Sequence, residues 1–341
     1  MNSILDFHVH PFRDASHCLN FYPERSDFTP AGMQLELEKA GITHICGSVL
    51  QMKAPKAFSD LRALNREALA LRELLGDFYT PGFHIHPAYV RESCEEVEFM
   101  HRQGVHLLGE LVPYIHGWGD FDEKNLFQIL EAAPRGMVCS YHTPWDFSME
   151  HLLSAFPGII FVAAHPGDRD RVAEHIALMK KHENLYLDLS GTGLFRLGLL
   201  KHLVNRVGAE RILFGTDYPI CNPRMYVQAV YGEDISDCHR EKIFFENGMR
   251  ILKITEKRIN CCLAYRNRCP LGSPYGGAGC PVRGRLRGLH SFSGAIILLR
   301  YPLSQPVRLT ALPKGEPRGA TVSARQITIF HSVDFKKHNP I

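Results

Sequence analysis

The chain contains no run of about 18 apolar residues, so no segment is long enough to cross a bilayer as a helix. Its first residues lack a basic stretch followed by an apolar one, so no export signal is expected and the cytoplasm is the expected compartment. There are ten cysteines, but before residue 260 none stand in the close pairs of a zinc-binding framework. In a large chain without an export signal they are expected to be reduced, with Cys18, Cys46, Cys94, Cys139, Cys221 and Cys238 serving as packing residues. No glycine-rich phosphate loop follows the first strand-like segment, which argues against an open dinucleotide-binding sheet.

What is present is enough apolar sequence for a large core: 341 residues at 45% hydrophobic content, sufficient for one barrel or two ordinary domains. The net charge of +3 conceals a split. From Glu256 onward there are 14 Lys and Arg against 3 Asp and Glu, whereas residues 1–255 carry 25 against 33. The boundary is also one of pattern. Beyond it the chain is rich in Gly, Pro, Arg and Cys, and only Ala295–Tyr301 and Gln326–Phe330 look strand-like, so residues 256–341 are expected to form a poorly ordered basic tail of unknown role. The tail lacks interleaved aromatics, and no nucleic-acid or membrane partner is expected.

Residues 1–255 alternate short apolar runs with amphipathic stretches. The runs Ile4–His10, Ile42–Val49, Phe78–His84, Val105–Leu111, Met137–His142, Ile159–His165, Leu185–Ser190 and Arg211–Asp217 read as strands. Helix starts are expected at Thr29-Pro30, Ser59-Asp60, Ser93 with Glu96 as a capping box, Asp122, Ser148 and Asp168, with a last helix over roughly Ser236 to Lys253. Gly41, Gly76, Gly104, Gly136, Gly158 and Gly208 fall where helices hand over to strands. Strands separated by single helices pair in parallel through right-handed crossovers, and eight in about 215 residues fit a closed (β/α)₈ TIM barrel of class α/β.

In such a barrel the C-terminal strand ends converge on one mouth, so the residues that close the apolar runs carry the chemistry. Here the first run ends in His8 and His10, whose alternation puts both imidazoles on one face about 6 to 7 Å apart. The fourth ends in Glu110, the fifth in His142, the sixth in His165 and the eighth in Asp217. Each is a ligand type for a borderline or hard divalent metal; zinc is favoured, and manganese, iron and cobalt suit the same donors.

Several segments carry a family resemblance: Asp6-Phe7-His8-Val9-His10, Gly109-Glu110-Leu111, Tyr141-His142-Thr143, Ala164-His165-Pro166-Gly167, Leu187-Asp188-Leu189-Ser190-Gly191, Ile212 through Pro219 and Glu246 through Leu252. Through them the chain resembles the metal-dependent amidohydrolase superfamily. The nearest group is the amidohydrolase-related one that includes the aminocarboxymuconate-semialdehyde decarboxylase-like proteins, with TatD-like hydrolases more distant. The resemblance covers residues 1 to about 254. It implies that His8, His10, His142 and Asp217 hold a catalytic divalent ion. Glu110 falls where the TatD-like branch has a metal-bridging carboxylate, so one or two ions are implied, and His165 either ligates the second or acts near the substrate. Pro166 and Asp168 depart from the family's pattern in the loop beside the pocket.

A divalent ion on these donors would make hydroxide available at neutral pH, with Asp217 as the proton acceptor and His165 helping to stabilise the oxyanion. The expected activity is hydrolysis of an amide, ester or lactone-type bond of a small molecule. The alternatives are non-oxidative decarboxylation of an aromatic or unsaturated acid and an inactive barrel used as a binding module. A decarboxylase would favour a pocket arginine, for which Arg13, Arg91 and Arg169 are the rim candidates. His84-Ile85-His86-Pro87 is a rival His-x-His pair; Tyr114, His116 and Trp118 are candidate substrate contacts. Asp6 and His106 are expected to be buried and hydrogen-bonded, and Asp188 and Ser190 to shape the seventh strand. Barrels of this group commonly pair, so a homodimer is among the expectations.

Overall fold

The structure, a computed structural model, describes residues 3–19, 22, 28–119, 121, 124–143 and 149–254. The expected basic tail, with its two strand-like runs, and the expected helix starts at Asp122 and Ser148 lie outside the described residues.

Eight short apolar segments form parallel strands: β1 (Leu5–Asp6), β2 (His44–Gly47), β3 (Tyr79–Phe83), β4 (Leu107–Leu111), β5 (Val138–His142), β6 (Ile160–Ala164), β7 (Leu185–Asp188) and β8 (Ile212–Leu213). Their order in the sheet is their order in the chain, from β1 to β8. The ring closes by main-chain bonds from Phe7 N to Phe214 O at 2.8 Å and Asp217 N to His8 O at 2.8 Å, and by a parallel bridge of Val9 with Tyr218. Each expected strand is present, which makes the domain a TIM barrel.

The helices are α1 (Pro30–Lys39), α2 (Phe58–Leu75), α3 (Val90–Arg102), α4 (Pro113–His116), α5 (Lys124–Glu131), α6 (Met149–Ala155), α7 (Arg169–Lys181), α8 (Leu199–Val207), α9 (Pro223–Gly232), α10 (Asp237–Glu241) and α11 (Asn247–Leu252). No helix among the described residues is long and apolar enough to cross a membrane. Thr29 and Asp168 cap α1 and α7 as expected, accepting from Gly32 N and Arg171 N. Two starts differ. Helix α2 begins with Ala57 as its cap, and Asp60 instead accepts from the Lys56 and Ala57 amides. Helix α3 begins at Val90, leaving Ser93 inside it, where its hydroxyl ties the His86 backbone; Glu96 pairs with Arg66. Both acids serve the preceding loop or a neighbouring helix, roles that local spacing does not reveal.

Side-chain alternation separates two apolar layers. Cys139, Tyr141, Phe161, Ala163, Leu185 and Leu187 face the helices in the main core. Leu107, Val138, Val162, Tyr186 and Leu213 face the barrel axis, where Met249, Ile251 and Leu252 of α11 pack with them. The barrel interior is thus filled with hydrocarbon on the α11 side. Of the cysteines, Cys46 and Cys139 are buried as expected, whereas Cys238 is exposed on α10. His106 is only half-buried, against expectation, edge-to-face with His101.

Candidate metal centre at the barrel mouth

Continuing the inward-facing rows of β5 and β7 toward the C-terminal ends of these strands brings them to polar residues. On β5, Val138 and Ser140 lead to His142; on β7, Tyr186 leads to Asp188 and then Ser190. On β4 the register shifts between Leu108 and Leu111, and this places Glu110 at the mouth. Gly109 is required there: its φ is +98°, and a Cβ would sit 2.1 Å from Ser140 O. His165 and Asp217 follow β6 and β8 with φ of +69° and +64°. For non-glycine residues this left-handed backbone is costly, and it turns their side chains out of the strand rows toward the mouth. His175 Nε2 donates to His165 O at 3.2 Å and supports that turn from below.

The structure brings all six expected residues together. His8 Nε2 and His10 Nε2 lie 3.2 Å apart, each 3.3 Å from Glu110 Oε2, with Asp217 Oδ1 at 3.7 and 3.5 Å. The other Glu110 oxygen lies 3.0 Å from His142 Nδ1 and 3.7 Å from His165 Nε2. Among the described residues two groups of donors come close enough to share an ion, His8 with His10 and Asp217, and His8 with Glu110 and His165; His142, which the resemblance placed with His8, His10 and Asp217, is in neither and reaches the centre through Glu110.

Hydrogen bonding shows that this donor set fits a cation. His8 Nδ1 faces Asp188 Oδ2 at 2.9 Å and His10 Nδ1 faces Ser48 O at 3.4 Å. A carboxylate and a carbonyl only accept, so both Nδ1 atoms carry protons, and in the neutral rings both Nε2 atoms turn lone pairs toward each other and toward two carboxylates. Such a meeting point of acceptors calls for a positive charge, either a proton on Nε2 or a metal ion. Burial opposes charge on His8, but Asp188 and Glu110 hold its pKa well above the ordinary imidazole value. Burial likewise opposes charge on Glu110, yet His8, with hydrogen bonds from His10 and His142, holds its carboxyl well below the usual range. The same negative field attracts a divalent ion, which would take the place of that proton.

Asp188, expected only to shape the seventh strand, also lies directly behind His8. Fully buried, it also accepts from Ser190 Oγ and from Ser190 N at 2.9 Å. Inward alternation from Tyr186 is the signal that could have identified it, since a carboxylate facing a barrel mouth needs a partner. Asp6 meets expectation: it accepts from Thr216 N and Thr216 Oγ1, and burial raises its pKa to about 7 against those bonds.

The rival pair is accounted for structurally. His84 Nε2 donates to Val49 O at 2.8 Å, and His86 sits between His116 O and Ala88 N. Burial lowers the pKa of His84 to about 4. His116 and Trp118 are buried, whereas Tyr114 is exposed with its ring 5.1 Å from His142. A cavity of about 470 Å³ opens beside the centre, lined by His142, His165, Asp170, Arg171, Phe195 and Arg196. None of the three expected rim arginines lines it. Arg91 is exposed and pairs with Glu92 and Glu95, and Arg169 lines an adjoining cleft of about 600 Å³ between α7 and α8. The cavity's arginines come from α7 and the loop after β7.

An eight-stranded parallel barrel with four imidazoles and two carboxylates converging at its mouth defines the class as a TIM-barrel protein with a candidate metal centre. The chain belongs to the Amidohydrolase family, whose model matches residues 6–254. Among curated proteins none matches it. Solved structures show the same fold. An uncharacterized TIM-barrel protein from Bordetella bronchiseptica is 20% identical with a TM-score of 0.57, over 74% of this chain and 98% of its own. The 5-carboxyvanillate decarboxylase from Sphingomonas paucimobilis is 14% identical with a TM-score of 0.56, over 75% and 100%. A probable 2-pyrone-4,6-dicarboxylic acid hydrolase from Acinetobacter baumannii is 15% identical with a TM-score of 0.53, over 74% and 100%.

Proposed function

We propose that the chain is a metal-dependent hydrolase that opens an ester, lactone or amide bond in a small molecule. The observation that supports this is the division of Glu110: one oxygen faces His8 and His10, the other faces His142 and His165. A carboxylate shared between two donor sets suits one or two ions. A divalent ion bound there, zinc by donor type, supplies an acidified water and polarises a carbonyl. Asp217, at the edge of the His8–His10 pair, would be the group to accept a proton from the attacking water and to return it to the leaving group. In the cavity beside His142 and His165, Arg171 is paired with Glu174 and Asp168 and Asp170 also line the wall, which leaves Arg196 as the guanidinium placed to meet an acidic group of the substrate. We place this chemistry in the cytoplasm, on a small-molecule substrate, in a protein that pairs as a homodimer.

Arg196 also suits a second reading, non-oxidative decarboxylation, in which a carboxylate on an aromatic or unsaturated acid is held for loss as CO₂. The separating experiment incubates the zinc- or manganese-loaded protein with a panel of lactones, esters, amides and aromatic acids. Proton release from an ester or lactone, or free amine from an amide, without CO₂ supports hydrolysis, and CO₂ without net acid release supports decarboxylation. Neither, from protein that binds metal, overturns both.

A further inference from the structure

Ser190 lies between two residues of the centre without belonging to the donor set. Its hydroxyl is hydrogen-bonded to Asp188 Oδ1 and lies 3.0 Å from His165 Nδ1. The directions of these bonds can be assigned. Asp188 carries no proton to give: it accepts from His8 Nδ1 through one oxygen and from the Ser190 amide through the other. The Ser190 hydroxyl therefore donates to Asp188, and its oxygen is left to accept. The group it accepts from is His165 Nδ1–H. Were the hydroxyl proton turned to the imidazole instead, Ser190 Oγ and Asp188 Oδ1 would meet with lone pairs alone. Gly191 makes room for the ring in this contact, since its φ is +58° and a Cβ there would lie 2.3 Å from His165 Nδ1.

We propose that Ser190 is a positioning residue that relays the Asp188 carboxylate to His165 and holds that imidazole in its Nδ1–H tautomer, with the bare Nε2 facing Glu110. One carboxylate thereby sets two imidazoles, His8 directly and His165 through a hydroxyl, and turns both Nε2 lone pairs to the same centre. His165 then works as a lone-pair donor, a metal ligand or a proton acceptor, and not as a hydrogen-bond donor to an oxyanion. The inference rests on the catalytic reading above only for its kinetic arm.

Its test is the tautomer itself. Long-range ¹H–¹⁵N spectra are recorded on the full chain with ¹⁵N-labelled histidine, zinc-loaded and after dialysis against a chelator, with His165 assigned by its loss in His165→Gln. The chelated wild type is expected to show His165 protonated at Nδ1. Ser190→Ala is expected to populate the Nε2–H form and to lower kcat about tenfold with KM within about twofold. Ser190→Thr, which keeps the hydroxyl, is expected to retain the wild-type tautomer. An Nε2–H His165 in the chelated wild type overturns the proposal even if Ser190→Ala fails to fold, and so does an Nδ1–H tautomer unchanged in a folded Ser190→Ala. A protein inactive on every substrate removes the hydrolase reading but leaves the tautomer result standing.

Discussion

Replacing Asp188 by Asn changes one atom's chemistry at the point where the centre is most constrained. The side chain is fully buried, and its two oxygens receive His8 Nδ1 at 2.9 Å, Ser190 N at 2.9 Å and Ser190 Oγ. An amide of the same shape has one oxygen and one donor group, so whichever way it is turned a donor faces a donor. If the NH₂ faces His8, the imidazole is driven to its other tautomer and its Nε2 lone pair is lost to the centre. If it faces Ser190, the Ser190 amide loses its acceptor. The negative charge that raises the His8 pKa disappears in either case. Outer partners of this kind are worth about 10- to 100-fold in metal affinity, or roughly 1.4 to 2.7 kcal/mol. Zinc competition against a chromogenic chelator, with circular dichroism to confirm the fold, measures this. A folded Asp188→Asn that binds zinc as tightly as wild type would refute the view that Asp188 orients His8.

Other perturbations probe other parts of the account. Asp217→Asn should lower turnover by at least about 10² and weaken metal binding, and near-normal turnover would remove Asp217 from proton transfer. Gly109→Ala should cost folding or activity outright, because its Cβ has backbone 2.1 Å away; a normal melting temperature and rate would contradict the bulge geometry of β4. Met249→Ala, in the α11 layer that fills the barrel interior, should destabilise by roughly 2–5 kcal/mol in urea unfolding without changing metal affinity. Burial lowers the pKa of His44, His84 and His175 to about 4 in the folded chain. Between pH 6.5 and 4 the unfolded chain therefore takes up protons that the native one refuses, so stability falls through that window, by up to about 3 kcal/mol per histidine. Thermal melts at stepped pH that stay flat from 6.5 to 4.5 would contradict it.

The eight strands were legible because buried parallel strands read as near-continuous apolar runs, and the polar residue closing each run stood out against it. His8, His10, Glu110, His142, His165 and Asp217 could each be named from that contrast, and the structure gathers them within a few ångströms. What stayed hidden depends on partners distant in sequence. Asp188 and Ser190 belong to the same run as Leu187, and nothing local says that they reach His8, 180 residues away, and His165. The cavity's arginines were missed for a similar reason. Arg196 comes from the loop after β7, which carries no motif, and Arg171 stands on α7 only two residues beyond the expected Arg169, which lines the neighbouring cleft instead. Cap assignments at Asp60 and Ser93 went astray because each side chain serves backbone outside its own first turn.

The central claim is that the mouth of this barrel is built to hold a divalent cation. Crystals of the full chain purified without chelator, with diffraction collected on both sides of the zinc absorption edge, test it most directly. The expected result is an anomalous peak within coordination distance of His8 Nε2, His10 Nε2 and Asp217 Oδ1, with or without a second peak between His8, Glu110 and His165. A map with no peak there, from protein whose activity survives chelation, would contradict the claim.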